Sequence, residues 1–176
     1  MQVARAARIF LKLDRLIWVP TYDPPHKDAP ATPFIHRLGM TRAAAAEPGE
    51  AVSDIEASLP QPSYTLHTLR ALKKAEGGNH EWFLIIGSDS WKDFHNWNQP
   101  EAVRAEATLA VHPREDFPLY TAPNAIRLPG REVPGESRRF RARFRENPDQ
   151  ALAELPRAVA AYIRKHGLYG LPKAAA

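Results

Sequence analysis

Trp82-Phe83-Leu84-Ile85-Ile86-Gly87-Ser88-Asp89 runs from five consecutive apolar residues straight into a glycine and two small polar residues. An unbroken apolar run of this length reads as a central strand of a parallel sheet, buried on both faces. The glycine and the polar pair mark the strand's carboxyl end, with a short helix expected after them. A second run, Ala107-Thr108-Leu109-Ala110-Val111, follows a helical stretch over Glu101 to Glu106 and reads the same way.

Upstream, residues 1 to 11 place apolar side chains at 3, 6, 7, 10 and 11, the spacing of one helix face, with no polar cap before them. Arg15-Leu16-Ile17-Trp18-Val19-Pro20 reads as a short strand stopped by proline, and residues 21 to 33 as a proline-rich loop. Thr32-Pro33 suits the cap and first turn of a helix to about Glu47. Ala51 to Ile55 can form another strand. Tyr64 to Ala75 predicts a helix with Leu66, Leu69 and Leu72 inward. Beyond a loop carrying five prolines, helices are expected over 137–145 and 149–166, the second broken near Pro156 and closed by Gly167. Strands alternating with helices predict an α/β fold, an open parallel sheet with helices on both faces. We read one domain over 1–170 and a tail over 171–176.

Composition narrows the function. A 44% hydrophobic fraction supplies a core, and no run of about 18 apolar residues is present to span a bilayer. No signal-peptide order of segments occurs, so a cytoplasmic location is expected. With no cysteine, thiolate nucleophiles, thiolate metal sites and disulfides are excluded. The net charge of +4 is modest for a nucleic-acid binder, and no reader motif accompanies it. Most of that charge lies in 131–146, where six arginines face three glutamates. That segment suits phosphate binding or an ordinary solvated helix face.

Ligands of such sheets bind beyond the strands' carboxyl ends. Three loops leave predicted strands there: Thr21 to Lys27, Gly87 to Trp97, and His112 to Arg114. Gly87 lets a ligand approach the backbone, while Asp89 suits a ribose hydroxyl or a helix cap. Trp97, set among His95, Asn96 and Asn98, is a stacking platform or a core residue. The helix opening at Ser63 offers unpaired backbone N–H groups to an anion. His26-Lys27 could meet a phosphate. The seven histidines lack metalloprotease and zinc-finger spacing.

Five segments in order resemble bacterial nicotinate-nucleotide adenylyltransferases of the nucleotidyltransferase superfamily. They are Val19-Pro20-Thr21-Tyr22-Asp23-Pro24-Pro25-His26-Lys27; Pro62-Ser63-Tyr64-Thr65-Leu66-His67-Thr68-Leu69; and Phe83 to Asp89 followed by Trp97. Ala107 to Arg114 and Tyr162-Ile163-Arg164-Lys165-His166-Gly167-Leu168-Tyr169 complete the set. The resemblance implies a Rossmann-like sheet and transfer of AMP from ATP to nicotinate mononucleotide in NAD biosynthesis. It implies that Tyr64 and Thr65 offer backbone donors to the nicotinate carboxylate, that Trp97 stacks on the pyridine, and that Asn98 contacts the acid group. Gly87 and Asp89 would lie against ribose, with Lys27 also in the substrate pocket, and Ser137 and Arg141 would hold ATP. Mg2+ would come bound mainly through substrate phosphates.

Two departures accompany it. The family's first strand and its HxGH phosphate-binding signature precede the stretch matched by residues 1 to 7, so the first βα turn reads as incomplete and no catalytic residue is assigned. The carboxyl-terminal ATP motif, a Ser-Ser-Thr run followed by arginine, here reads Glu136-Ser137-Arg138-Arg139-Phe140-Arg141. The alternative expectation is therefore a catalytically impaired relative that acts as a mononucleotide-binding or regulatory module. In either case ATP or nicotinate mononucleotide, not nucleic acid or membrane, is the expected partner.

Overall fold

The apolar runs pair with each other. In a computed structural model, which describes residues 2–25, 32–115, 117–118, 121–131 and 136–173, Phe83–Gly87 forms strand β3 and Thr108–His112 strand β4. They lie parallel, Phe83 opposite Thr108 and Gly87 opposite His112. On β4's far side runs a two-residue strand, β5 (Ile126–Arg127), which sequence reading did not foresee. Two residues are too few for any periodicity to register.

A second parallel pair joins β1 (Leu16–Trp18) to β2 (Glu50–Val52). Parallel neighbours require a crossover. Helix α2 (Phe34–Ala44) supplies the one from β1 to β2. Between β3 and β4 run α4 (Ser88–Lys92) and α5 (Pro100–Glu106). The α/β reading thus holds, with the parallel strands divided between two sheets, ordered β1-β2 and β3-β4-β5.

That division corrects one expectation. The most apolar strand is not central. Among the described residues β3 stands at the edge of its sheet, half-buried at all five positions, while β4 between two neighbours is buried at four of five. Apolar content registers how much burial a strand can use, not where in the sheet it lies. β1 likewise keeps one edge unpaired among the described residues.

Helix α1 (Gln2–Leu11) packs against the three-stranded sheet. Its small residues allow close approach: Ala7, fully buried, packs with Ala110 and Leu128, joined by Leu11, Leu13 and Ile85. The buried face centres on Ala4 and Ala7, so Phe10, expected inward, is 50% exposed. The chain then turns directly into β1. Helix α3 (Thr65–Glu76) buries Leu66, Leu69 and Leu72 as its spacing requires and ends at Gly77 with φ +63°.

Helices α6 (Glu136–Glu146), α7 (Pro148–Ala153) and α8 (Arg157–His166) gather around Phe144, Leu152 and Ile163 in a separate cluster that also takes in Met40 of α2. Gly167 closes α8 at φ +59°, as expected. Other boundaries moved. β2 stops at Val52, and Ile55–Ser58 winds into a 3-10 turn where a strand was expected to end. Helix α2 begins after Pro33 without a side-chain cap; the Thr32 carbonyl is instead held by Arg37 Nε at 3.1 Å.

Ala7→Leu should lower stability by about 1–3 kcal/mol, since a buried site against a sheet has no room for added methylenes. Urea denaturation measures this. A wild-type midpoint would show that α1 is not docked on β3 and β4.

Candidate functional site

Gly87 and His112 end their strands side by side, so the two loops that follow leave the sheet together. Ser88 fastens them. Its buried hydroxyl donates to the Phe117 carbonyl at 2.6 Å and accepts the Arg114 N–H at 2.8 Å. Arg114 Nε also stands 3.0 Å from Asp89 Oδ1, a half-exposed ion pair. An ideal Cβ at position 87 would fall 2.3 Å from Asp89 Oδ1 and 2.5 Å from Arg114 Nε, so a side chain there would displace this ion pair. The glycine therefore serves close approach and not an unusual backbone angle. Asp89 does not cap α4, whose N-cap is Gly87.

The head of α3 is built just as tightly. The Ser63 N–H donates to the Asp23 carbonyl at 2.8 Å, and the Asp23 N–H returns to Ser63 Oγ at 3.1 Å. This double bond in hydrogen-bonding terms fixes the loop after β1 against the helix. Tyr64 N–H donates to the Pro62 carbonyl at 2.9 Å. The first helical amide is Thr65's, where no carbonyl one turn back in the helix can accept it.

Trp97 sits half-buried with its ring centroid 5.1 Å from that of Phe94, and Asn98 is half-buried beside it. One cluster underlies all these positions. It holds Leu66, Leu69, Phe94, Val103 and Leu109, with Ile86 and Trp97 packed against it. Thr65 adjoins Leu66 and Gly87 adjoins Ile86, so three candidate segments rest on the same apolar support. Trp97 is thus partly packed against this core and partly exposed.

A family model described as cytidylyltransferase-like matches residues 1–147. A probable nicotinate-nucleotide adenylyltransferase of Thermus thermophilus is 39% identical over 168 residues, covering 94% of this chain and 89% of that protein. Another, of Gloeobacter violaceus, is 31% identical over 188 residues, with 99% and 91% covered. The chain belongs to this family. A solved Plasmodium falciparum nicotinic acid mononucleotide adenylyltransferase complexed with NaAD shares the fold, with TM-score 0.69 over 96% of this chain and 92% of that one at 18% identity.

The remaining family-derived positions are less gathered. Lys27 lies outside the described residues. Ser137 belongs to the first turn of α6, its side chain also outside them. Arg141 is exposed on α6, whose Phe140 and Phe144 pack towards Tyr169 in the helical cluster and not in the cluster under Trp97. Among the described residues no group of three or more His, Asp or Glu side chains stands close enough to hold a metal ion. Asp89, the acid nearest the strand ends, is taken by Arg114.

Sequence reading missed the Ser88 clamp, the Asp89–Arg114 pair and the buried Glu56. Arg114 carried a signal, since it lies in a loop leaving a predicted strand. Nothing local marks Glu56 for burial. No helix among the described residues is long and apolar enough to cross a membrane.

His112 adds a titration. It is 3% exposed, and its Nδ1–H donates to the Pro113 carbonyl at 2.8 Å. Burial, with smaller pushes from Arg114 and Arg127, lowers its pKa, against the Pro113 bond that raises it. A histidine with a folded pKa below the unfolded value of about 6.5 takes up its proton more readily on unfolding. Stability should be full above that pH and decline as the pH falls from about 6.5 towards the folded value. His166 shifts the same way, through desolvation first and then His36, Lys165 and Lys173. Urea midpoints taken from about pH 7.5 down to about pH 5 should fall, and fall less in His112→Gln. An unaltered slope in that variant would remove His112 from the account.

Proposed function

We propose that this chain transfers AMP from ATP to nicotinate mononucleotide, giving nicotinate adenine dinucleotide and pyrophosphate in NAD biosynthesis. The mononucleotide's phosphate oxygen attacks the α-phosphorus of ATP, and the bond from that phosphorus to the β-phosphate oxygen breaks. Such in-line chemistry depends on positioning and charge neutralisation more than on a protein nucleophile. One observation supports the assignment: Leu66 next to Thr65, Ile86 next to Gly87, and Trp97 itself all belong to or pack against one apolar cluster.

In this reading the amides at Tyr64 and Thr65 face the nicotinate carboxylate. Thr65 is the better placed, because the Tyr64 N–H already donates to Pro62. Backbone donors favour a carboxylate, which only accepts, over a carboxamide, which presents an N–H2 group to them. Trp97 stacks on the pyridine, and Asn98 reaches the acid group. Gly87 and Asp89 meet the ribose, the Asp89 carboxylate being oriented by Arg114. Lys27, four positions after Asp23 in sequence, takes the phosphate end. Ser137 and Arg141 hold ATP, and Mg2+ arrives on its phosphates.

Calorimetric titration and an assay of nicotinate adenine dinucleotide formation test this together. Nicotinate mononucleotide should bind at least about tenfold more tightly than the nicotinamide form, as expected for charge-assisted hydrogen bonds. Trp97→Ala should weaken binding by about ten- to a hundredfold, the usual worth of ring stacking. Equal binding of acid and amide would defeat the substrate assignment. Tight mononucleotide binding with no product would instead identify a binding module, the outcome that the changed residues 136 to 138 favour.

A further inference from the structure

Glu56 is the one buried acidic residue among those described, 6% exposed, and both its oxygens are occupied. Oε2 accepts the Tyr22 N–H at 2.8 Å, and Oε1 accepts the Thr68 hydroxyl at 2.9 Å. These partners belong to different parts of the chain. Tyr22 lies in the loop after β1, and Thr68 in the first turns of α3. A carboxylate suits the place because each partner brings a proton and neither needs one.

The backbone of the same residue is tied in as well. The Glu56 carbonyl accepts Gln61 Nε2 at 3.0 Å, and Gln61 Oε1 accepts the Ser63 hydroxyl at 3.0 Å. Arg37 of α2 completes the arrangement, donating to the carbonyls of Thr21 and Tyr22 and adding positive charge near Glu56. A buried carboxylate with a compensating guanidinium and no unmet oxygen is a rigid spacer.

We propose that Glu56 is a positioning residue that clamps the loop after β1 to the head of α3 and so holds the amides that receive the nicotinate carboxylate. The inference rests on the substrate reading above, in which the amides heading α3 take that carboxylate. Glu56 does not touch the substrate; it holds the helix head in place.

The test compares Thr68→Val, Glu56→Ala and Glu56→Gln in the full chain, titrated with nicotinate mononucleotide and separately with ATP. Thr68→Val keeps the shape and cuts only the arm to α3, so it serves even if Glu56→Ala does not fold. Loss of a hydrogen bond to a buried charge should weaken mononucleotide binding by about tenfold or more in Thr68→Val and Glu56→Ala, with ATP affinity held within about twofold. Glu56→Gln should recover most of the loss, since its Oε1 can accept from Tyr22 while its N–H2 donates to Thr68. The Thr68 hydroxyl would then turn to the Tyr64 carbonyl, 3.4 Å away.

Wild-type mononucleotide affinity in Thr68→Val and Glu56→Ala overturns the inference, and so does an equal weakening for both ligands, the mark of general loosening. If the wild-type chain itself fails to bind nicotinate mononucleotide, the substrate reading falls and takes this one with it. Tight wild-type binding with unaffected variants removes this inference alone.

Discussion

Parallel pairing of β3 with β4 sets Gly87 level with His112, and the loops that follow leave the sheet at one height. What happens next depends on the absence of a side chain at position 87. Any Cβ there would enter the space of Asp89 and Arg114, whose ion pair joins the two loops across the strand ends. Ser88, one residue on, uses its hydroxyl as both donor and acceptor to the second loop. Three consecutive residues thus turn a pair of strands into a fixed rim. The apolar cluster beneath carries Trp97 and the first residues of α3 to the same end of the sheet.

Where the chain was readable from its sequence, a repeating pattern bore the message. Leu66, Leu69 and Leu72 fall on one helical face and are all buried. The strands at 83–87 and 108–112 are built on the apolar runs Phe83 to Ile86 and Leu109 to Val111. Segment order then placed Gly87, Asp89 and Trp97 near one another by likeness to a family, and the fold and its relatives bear out that family.

What escaped reading is long-range. Asp89 and Arg114 meet across 25 positions of sequence, and Glu56 reaches Tyr22 across 34. No local window contains both members of either pair. Glu56 looks like a surface residue in sequence because its burial depends on two protons, one delivered from the loop after β1 and one from helix α3. The edge position of β3 is hidden for a related reason: strand order is a property of several segments at once. Arg141 is exposed on α6, while Phe140 and Phe144 of the same helix pack into the helical cluster.

The edge of β3 has a consequence for how the molecule behaves among others. A strand with one side unpaired displays N–H and C=O groups in alternation, and strands add at about 4.7–4.9 Å spacing with no change to the strand already present. Natural edges are usually blunted by proline, a bulge or an inward lysine. Phe83 to Gly87 contains no such device. Among the described residues no strand pairs with that side of β3, so its five residues present a ladder to which a further extended segment can add.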